Sequence, residues 1–124
     1  MDASTLVDLL LENQQLISFL ATGPDGQPAI YQIIAPEANV FPRLAVFEDS
    51  REYTEFADDE PIEEVVRFRI DIFTAENTLN EISSALHRVL REHRFARVNP
   101  LPDDYLPDAD VFVKSAVYEV YEQL

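Results

Sequence analysis

The stretch that decides the fold is EVVRFRIDIF, residues 64–73. Apolar and charged side chains alternate along it: Val66, Phe68, Ile70 and Ile72 against Arg67, Arg69 and Asp71. Because successive side chains of a strand point to opposite faces of a sheet, this alternation predicts a strand with one buried face. We expect that face to pack against a helix supplied by another part of the chain.

Two helices are predicted. Thr78 followed by Glu81 forms a capping box, which opens a helix that ends near His93. Its apolar stripe should cover the buried face of strand 64–73, and its members are Leu79, Ile82, Leu86, Val89 and Leu90. Near the N-terminus, Asp2 or Ser4 can cap another helix, which the apolar spacing extends to about Leu20.

The remaining segments predict three further strands and their connections. AIYQIIA (29–35), RLAVFED (43–49) and VFVKSAVYEVYEQ (111–123) are rich in β-branched and aromatic residues. TGPDGQP (22–28) holds both glycines of the chain, and NPLPDDYLPD (99–108) holds three prolines, so both predict loops. The prediction is one α+β domain over residues 1–124 in the order α-β-β-β-α-β. It has a small, mainly antiparallel sheet of about four strands, two flanking helices, and a long acidic loop between strands two and three.

Charge and composition narrow the classes of partner. The 124 residues include 24 acidic and 9 basic side chains, for a net charge of -15. Such a surface repels nucleic-acid phosphates and anionic membranes. No cysteine is present, which excludes disulfides and thiolate chemistry. The first basic residue is Arg43, so no basic region of a signal peptide precedes it, and we expect folding in the cytosol.

The residue inventory predicts neither catalysis nor a cofactor. His87 and His93 are six apart and lie on nearly opposite sides of a helix, which is the wrong spacing for a metal pair. The acidic run 103–110 lacks the glycine and the glutamate that a calcium loop of the EF-hand type needs. No phosphate-binding glycine loop and no Ser/His/carboxylate order occurs. Incidental calcium binding, and acid–base work by an unrecognised carboxylate pair, stay open.

The most informative feature is how the charge is distributed. Residues 48–64 carry nine carboxylates against the single Arg51, whereas arginines recur every three residues at positions 88, 91, 94 and 97. These arginines either interact with the negative end of the second helix or form a patch that complements the acidic loop. Tyr53 and Phe56 within the acidic loop either anchor an interface or fold back on their own core. The predicted interface residues are Tyr53, Glu55, Phe56, Asp58, Asp59, Arg88, Arg91 and Arg94.

Three phrases of the sequence resemble a known family. YQIIAPEANVFPRLAVFE (31–48), FADDEPIEEVVRFRIDIF (56–73) and DDYLPDADVFVKSAVYEVYE (103–122) are similar to the tail-completion, or tail-to-head joining, proteins of long-tailed bacteriophages and prophages. That family is related in fold to the phage tail terminators.

The resemblance implies a structural virion protein without catalysis or cofactor. It implies a ring, hexameric when assembled, at the head-proximal end of the tail, where it terminates the tail tube and joins it to the head connector. The free chain can be a monomer. The implied location is the virion tail, after assembly in the bacterial cytoplasm. DNA would pass through the ring without specific binding, since a lumen lined with carboxylates repels phosphates.

Rival interpretations come from other classes of protein. An acidic protein-binding adaptor or DNA mimic would need carboxylates spaced like phosphates along one surface. An enzyme with a carboxylate pair or a loosely bound metal would be distinguished by a metal-content assay. A chaperone or adaptor would act as a monomer or dimer, which a mass measurement in solution would show.

Overall fold

The computed structural model describes residues 1–37 and 39–124. In these ranges the helices are α1 (Ala3–Leu11), α2 (Gln14–Ile17) and α3 (Leu79–Glu92). The strands are β1 (Ile30–Gln32), β2 (Arg43–Ala57), β3 (Glu60–Thr74), β4 (Ala96–Pro100), β5 (Asp104–Leu106) and β6 (Val111–Gln123). None of the helices in the described residues is long and apolar enough to span a membrane.

The strands form one mixed sheet of six, in the order β1-β2-β3-β6-β4, with β5 also paired to β6. β1 runs parallel to β2, and every other pairing is antiparallel. The prediction of about four strands is therefore wrong, although the fold remains α+β. The proline-rich segment 99–108, predicted as loop, supplies the end of β4 and all of β5. Proline is tolerated there because Pro100 ends an outer strand, where a missing N–H breaks no interior ladder.

The core lies on one face of the sheet, under the helices. β3 buries the predicted set Val66, Phe68, Ile70 and Ile72. α3 buries Leu79, Ile82, Leu86, Val89 and Leu90 in the same cluster, which confirms the predicted packing of these two elements. The opposite face of β3 carries Arg69, which stacks 4.2 Å from the Phe47 ring centre and pairs with Asp71 at 3.3 Å.

The first helix is shorter than predicted. α1 begins after Asp2, whose side chain accepts a hydrogen bond from Thr5 N at 2.8 Å, and it ends at Leu11. Asn13 then caps a separate short helix by accepting from Leu16 N at 2.9 Å. An asparagine that bonds a backbone N–H three residues ahead starts a new helix, so the single helix to Leu20 is wrong.

The predicted acidic loop is also wrong, because residues 50–62 are the outer half of a β-hairpin. β2 and β3 stay paired through Glu55↔Glu63, Phe56↔Pro61 and Ala57↔Glu60. Asp58 and Asp59 have φ of 51° and 65°, the left-handed values of a two-residue type I′ turn. Aspartate tolerates this conformation, so the turn closes without the glycine that would have marked it in the sequence.

The turn before β1 needs a small residue at position 23. A methyl group added at Gly23 would overlap the Tyr31 hydroxyl, which is buried and has no hydrogen-bond partner among the described residues. We predict that Gly23→Ala lowers the free energy of unfolding by about 1–3 kcal/mol, as overpacking does. Tyr31→Phe should cost nothing and should recover most of that loss in the double variant. Urea denaturation of the three variants tests this, and a double variant as unstable as Gly23→Ala would contradict it.

Candidate subunit interface

The hairpin tip, residues 53–60, projects beyond the folded core. The last fully buried apolar residue of β3 at this end is Val65, and Asp59 lies six residues further out. At about 3.3 Å per residue the tip extends roughly 20 Å past the core. β6 accompanies the hairpin only as far as Gln123, opposite Glu63, so the tip itself is two-stranded.

Two aromatic rings meet on this tip. Tyr53 and Phe56 are 56% and 61% exposed, and their ring centres lie 6.1 Å apart in an edge-to-face arrangement. In a regular strand, residues three apart point to opposite faces, but irregular pairing between Tyr53, Glu55 and Phe56 shifts the register and brings the rings together. The alternative that these rings fold back on their own core is wrong. The rings form an exposed apolar knob.

Carboxylates surround that knob. Glu55, Asp58, Asp59 and Glu60 are all exposed. Glu55 lies directly opposite Glu63, and like charges in that position destabilise a strand pair. Glu63 is held by Thr54 Oγ1 and Gln123 Nε2, each donating at 2.8 Å.

The base of the hairpin is fixed by Arg51, which sequence reasoning treated only as a lone countercharge. Its guanidinium binds Glu64, which is 6% exposed, and donates to Glu48 at 2.7 Å. A second arginine, Arg67, bridges Glu52 and Glu119 at 3.3 and 3.1 Å. Glu48, Glu52 and Glu64 at the base are therefore compensated within the chain, whereas the acids at the tip are not paired with any cation among the described residues.

The predicted arginines form a second surface around the end of α3. Arg88 and Arg91 are exposed on the helix, and Arg88 donates to Gln15 Oε1 at 3.0 Å. Arg94 follows the helix with φ of 67°. The backbone N–H groups of Arg94 and Phe95 bond the carbonyls of Arg91 and Leu90, which is a Schellman ending. In the described part of the chain, Arg91 and Arg94 have no ion-pair partner. We call Arg88, Arg91, Arg94 and Arg97 the arginine surface.

The two sets of predicted residues do not meet within one chain. The knob and its carboxylates lie at the tip of the β2–β3 hairpin, whereas α3 leads into β4, an edge strand separated from β3 by β6. Interaction with the negative end of the helix accounts only for arginines near its last turn, where Arg91 lies. It does not account for Arg88, one turn earlier, or for Arg97 on β4.

His87, which the sequence analysis considered only as a metal ligand, is a neighbour of the arginine surface. Its Nδ1 lies 3.3 Å from the Tyr118 hydroxyl, and the two rings are 5.9 Å apart. Burial first, and then the charges of Arg97 and Arg91, lower the pKa of His87 below its ordinary value of 6.5. Its position next to Arg88 on the same helix is the sequence signal that could have placed His87 beside the arginine surface.

This shift predicts a pH dependence of stability. Because the unfolded chain protonates His87 more readily than the folded chain, the free energy of unfolding should fall as pH drops through 6.5. His87→Gln should remove part of that slope. The slope is measured from the midpoints of urea denaturation between about pH 7.5 and 5.5. Identical slopes for wild type and His87→Gln would contradict the prediction.

The acidic run 103–110 is occupied by internal contacts. Asp103 accepts from Lys114 Nζ at 2.8 Å, and Asp110 accepts from the Tyr105 hydroxyl. Within residues 1–37 and 39–124, no group of three or more His, Asp or Glu side chains is placed to hold a metal ion.

Comparison with known proteins gives a likeness of fold. No family model matches the sequence, and no curated protein matches it. Among solved structures, the chain is similar to a chain in the virion of a native gene transfer agent (GTA) particle, with a TM-score of 0.54 and 16% sequence identity. The match covers 94% of this chain and 90% of that chain, so the shared fold spans nearly the whole of both.

Proposed function

We propose that the protein is a structural, non-catalytic component of a phage or prophage virion. In this proposal it forms a ring at the head-proximal end of the tail, terminates the tail tube and joins it to the head connector. The observation that carries it is a pair of complementary surfaces that do not meet within one chain. The acidic knob at the tip of the β2–β3 hairpin and the arginine surface on α3 and β4 support head-to-tail contact, which closes into a ring when the rotation allows.

The fold likeness and the charge support the virion setting. The similar chain belongs to a virion particle, and the sequence phrases resemble tail-completion proteins. A net charge of -15 suits a ring through which DNA slides without sticking, because the phosphates are repelled. We propose the tail tube protein and the connector as the other partners.

Disrupting the gene in a host that produces the particles tests this function. We expect DNA-filled heads and tails of normal length to accumulate separately, and a plasmid copy to restore joined particles. The protein should also be found in the purified tail fraction after complementation. Joined particles in normal yield without the protein would contradict the proposal and favour an acidic adaptor.

A further inference from the structure

A small cavity lies beside the arginine surface, between α3, β4 and β6. Its volume is about 110 Å³, and its floor is made of nearly fully buried core side chains: Ile70, Ile72, Leu86 and Tyr118. Ser83 and Ala116 line its walls. An apolar cavity of about 150 Å³ binds a benzene ring, so this smaller, partly polar cavity has room for the leading edge of an aromatic side chain.

Two cations stand at this cavity. Arg97 and Lys114 both line it, and Lys114 is shared with Asp103 at 2.8 Å. An apolar cavity flanked by cations fits an apolar group that carries a carboxylate beside it. A phenylalanine side chain with acidic residues beside it in the sequence has both of these properties.

The cavity adjoins the arginine surface, because Arg97 belongs to both. Tyr118 lines the cavity as well, and its ring centre lies 5.9 Å from that of His87 on α3. His87, Arg88 and Arg91 in turn line the open groove on the outer side of α3. A partner could therefore insert a ring into the cavity and lay its charges along the groove.

We infer that the cavity receives the Phe56 ring of a neighbouring copy, with Glu55 and Asp58 directed to Arg97 and the arginine surface. Phe56 is 61% exposed and flanked by carboxylates. The chain's own tip cannot enter, since Ile70 lies about ten residues along β3 from the turn, roughly 33 Å. A Phe56 ring in this cavity must therefore come from a second copy. This inference rests on the proposed head-to-tail contact. It adds the site on one copy that binds the hairpin tip of the next.

Two variants, each lacking one half of the contact, test the inference. Phe56→Ala removes the ring but leaves the cavity, and Ser83→Phe fills the cavity but leaves the hairpin. Neither variant alone should associate head to tail, and the loss should be about tenfold or more in affinity. A mixture should form a 1:1 dimer that grows no further, because only one productive contact is possible.

NMR at millimolar concentration measures this contact even if it is weak. With labelled Phe56→Ala and unlabelled Ser83→Phe, amide shifts should change at Leu86, Leu101 and Ala116. With the labels exchanged, they should change in residues 53–60 only. Ser83→Leu serves as a milder filling variant if Ser83→Phe does not fold by circular dichroism.

The outcomes separate this inference from the proposed function. If no amide near the cavity shifts, or if Ser83→Phe joins heads to tails as well as wild type does, the cavity is not the receptor. Joining that fails for Phe56→Ala but not for Ser83→Phe would overturn the cavity and leave the ring proposal standing. Normal joining by both variants would overturn the inference together with the head-to-tail contact on which it rests.

Discussion

Replacing Phe56 with alanine should leave the chain folded and abolish most head–tail joining. The ring is exposed and contacts only Tyr53 among described aromatic residues, so its loss should change the free energy of unfolding little. Buried aromatic anchors contribute about 2 kcal/mol or more to an interface, whereas an exposed ion pair contributes about 0–1 kcal/mol. Electron microscopy of lysates should show separate heads and tails, each normal in itself.

Glu55→Gln is the matched control for that variant, because it alters the neighbouring residue and removes only charge. It should reduce joining far less than Phe56→Ala does. Arg91→Glu on the facing surface should slow association and make it less sensitive to salt, since charges govern encounter more than affinity. Should Phe56→Ala particles join normally while the chain melts like wild type, the hairpin is not the contact.

Leu86→Ala should give the largest loss of stability, about 2–5 kcal/mol, as truncations of core leucines do. Leu86 is 2% exposed and packs in the cluster that joins α3 to β3. The urea midpoint should fall with an unchanged slope. Asn80→Ala, on the exposed side of the same helix, should stay within about 0.5 kcal/mol of wild type. Equal midpoints for Leu86→Ala and wild type would show that the helix does not cover this face.

The elements predicted correctly are those whose pattern reflects burial. The alternation over 64–73 and the stripe of α3 each face one core, so periodicity alone located β3, α3 and their packing. A strand over 29–35 was also predicted, although only Ile30–Gln32 is paired, in parallel with β2. β4 and β5 were missed, because each is short and is held only by its pairing with β6, which leaves no local signature in the sequence.

The hairpin formed by β2 and β3 was wrongly predicted to end in a long loop because of its many acidic residues. Nine carboxylates over 48–64 suggested a segment that repels itself, but Arg51 and Arg67 bind the acids at its base. The turn uses Asp58 and Asp59 instead of glycine. Tyr53 and Phe56 could be singled out because aromatic rings in an acidic stretch are unusual, and their role in an interface stays a prediction. The cavity could not be predicted from the sequence. Its walls come from α3, β4 and β6, which are distant in sequence.

The central claim is that the hairpin tip of one copy contacts the α3 surface of the next, and cysteine cross-linking tests it most directly. The chain has no cysteine, so introduced ones react without background. Ala57→Cys lies at the tip, and Ser84→Cys lies beside Arg88 and Arg91. A short bis-maleimide added to assembled tails of the double variant should give a ladder of multimers that ends at the closed ring. Tails with mixed single variants should give dimers alone. Tip-to-tip cross-links, or none between these positions in tails that join normally, would contradict the account.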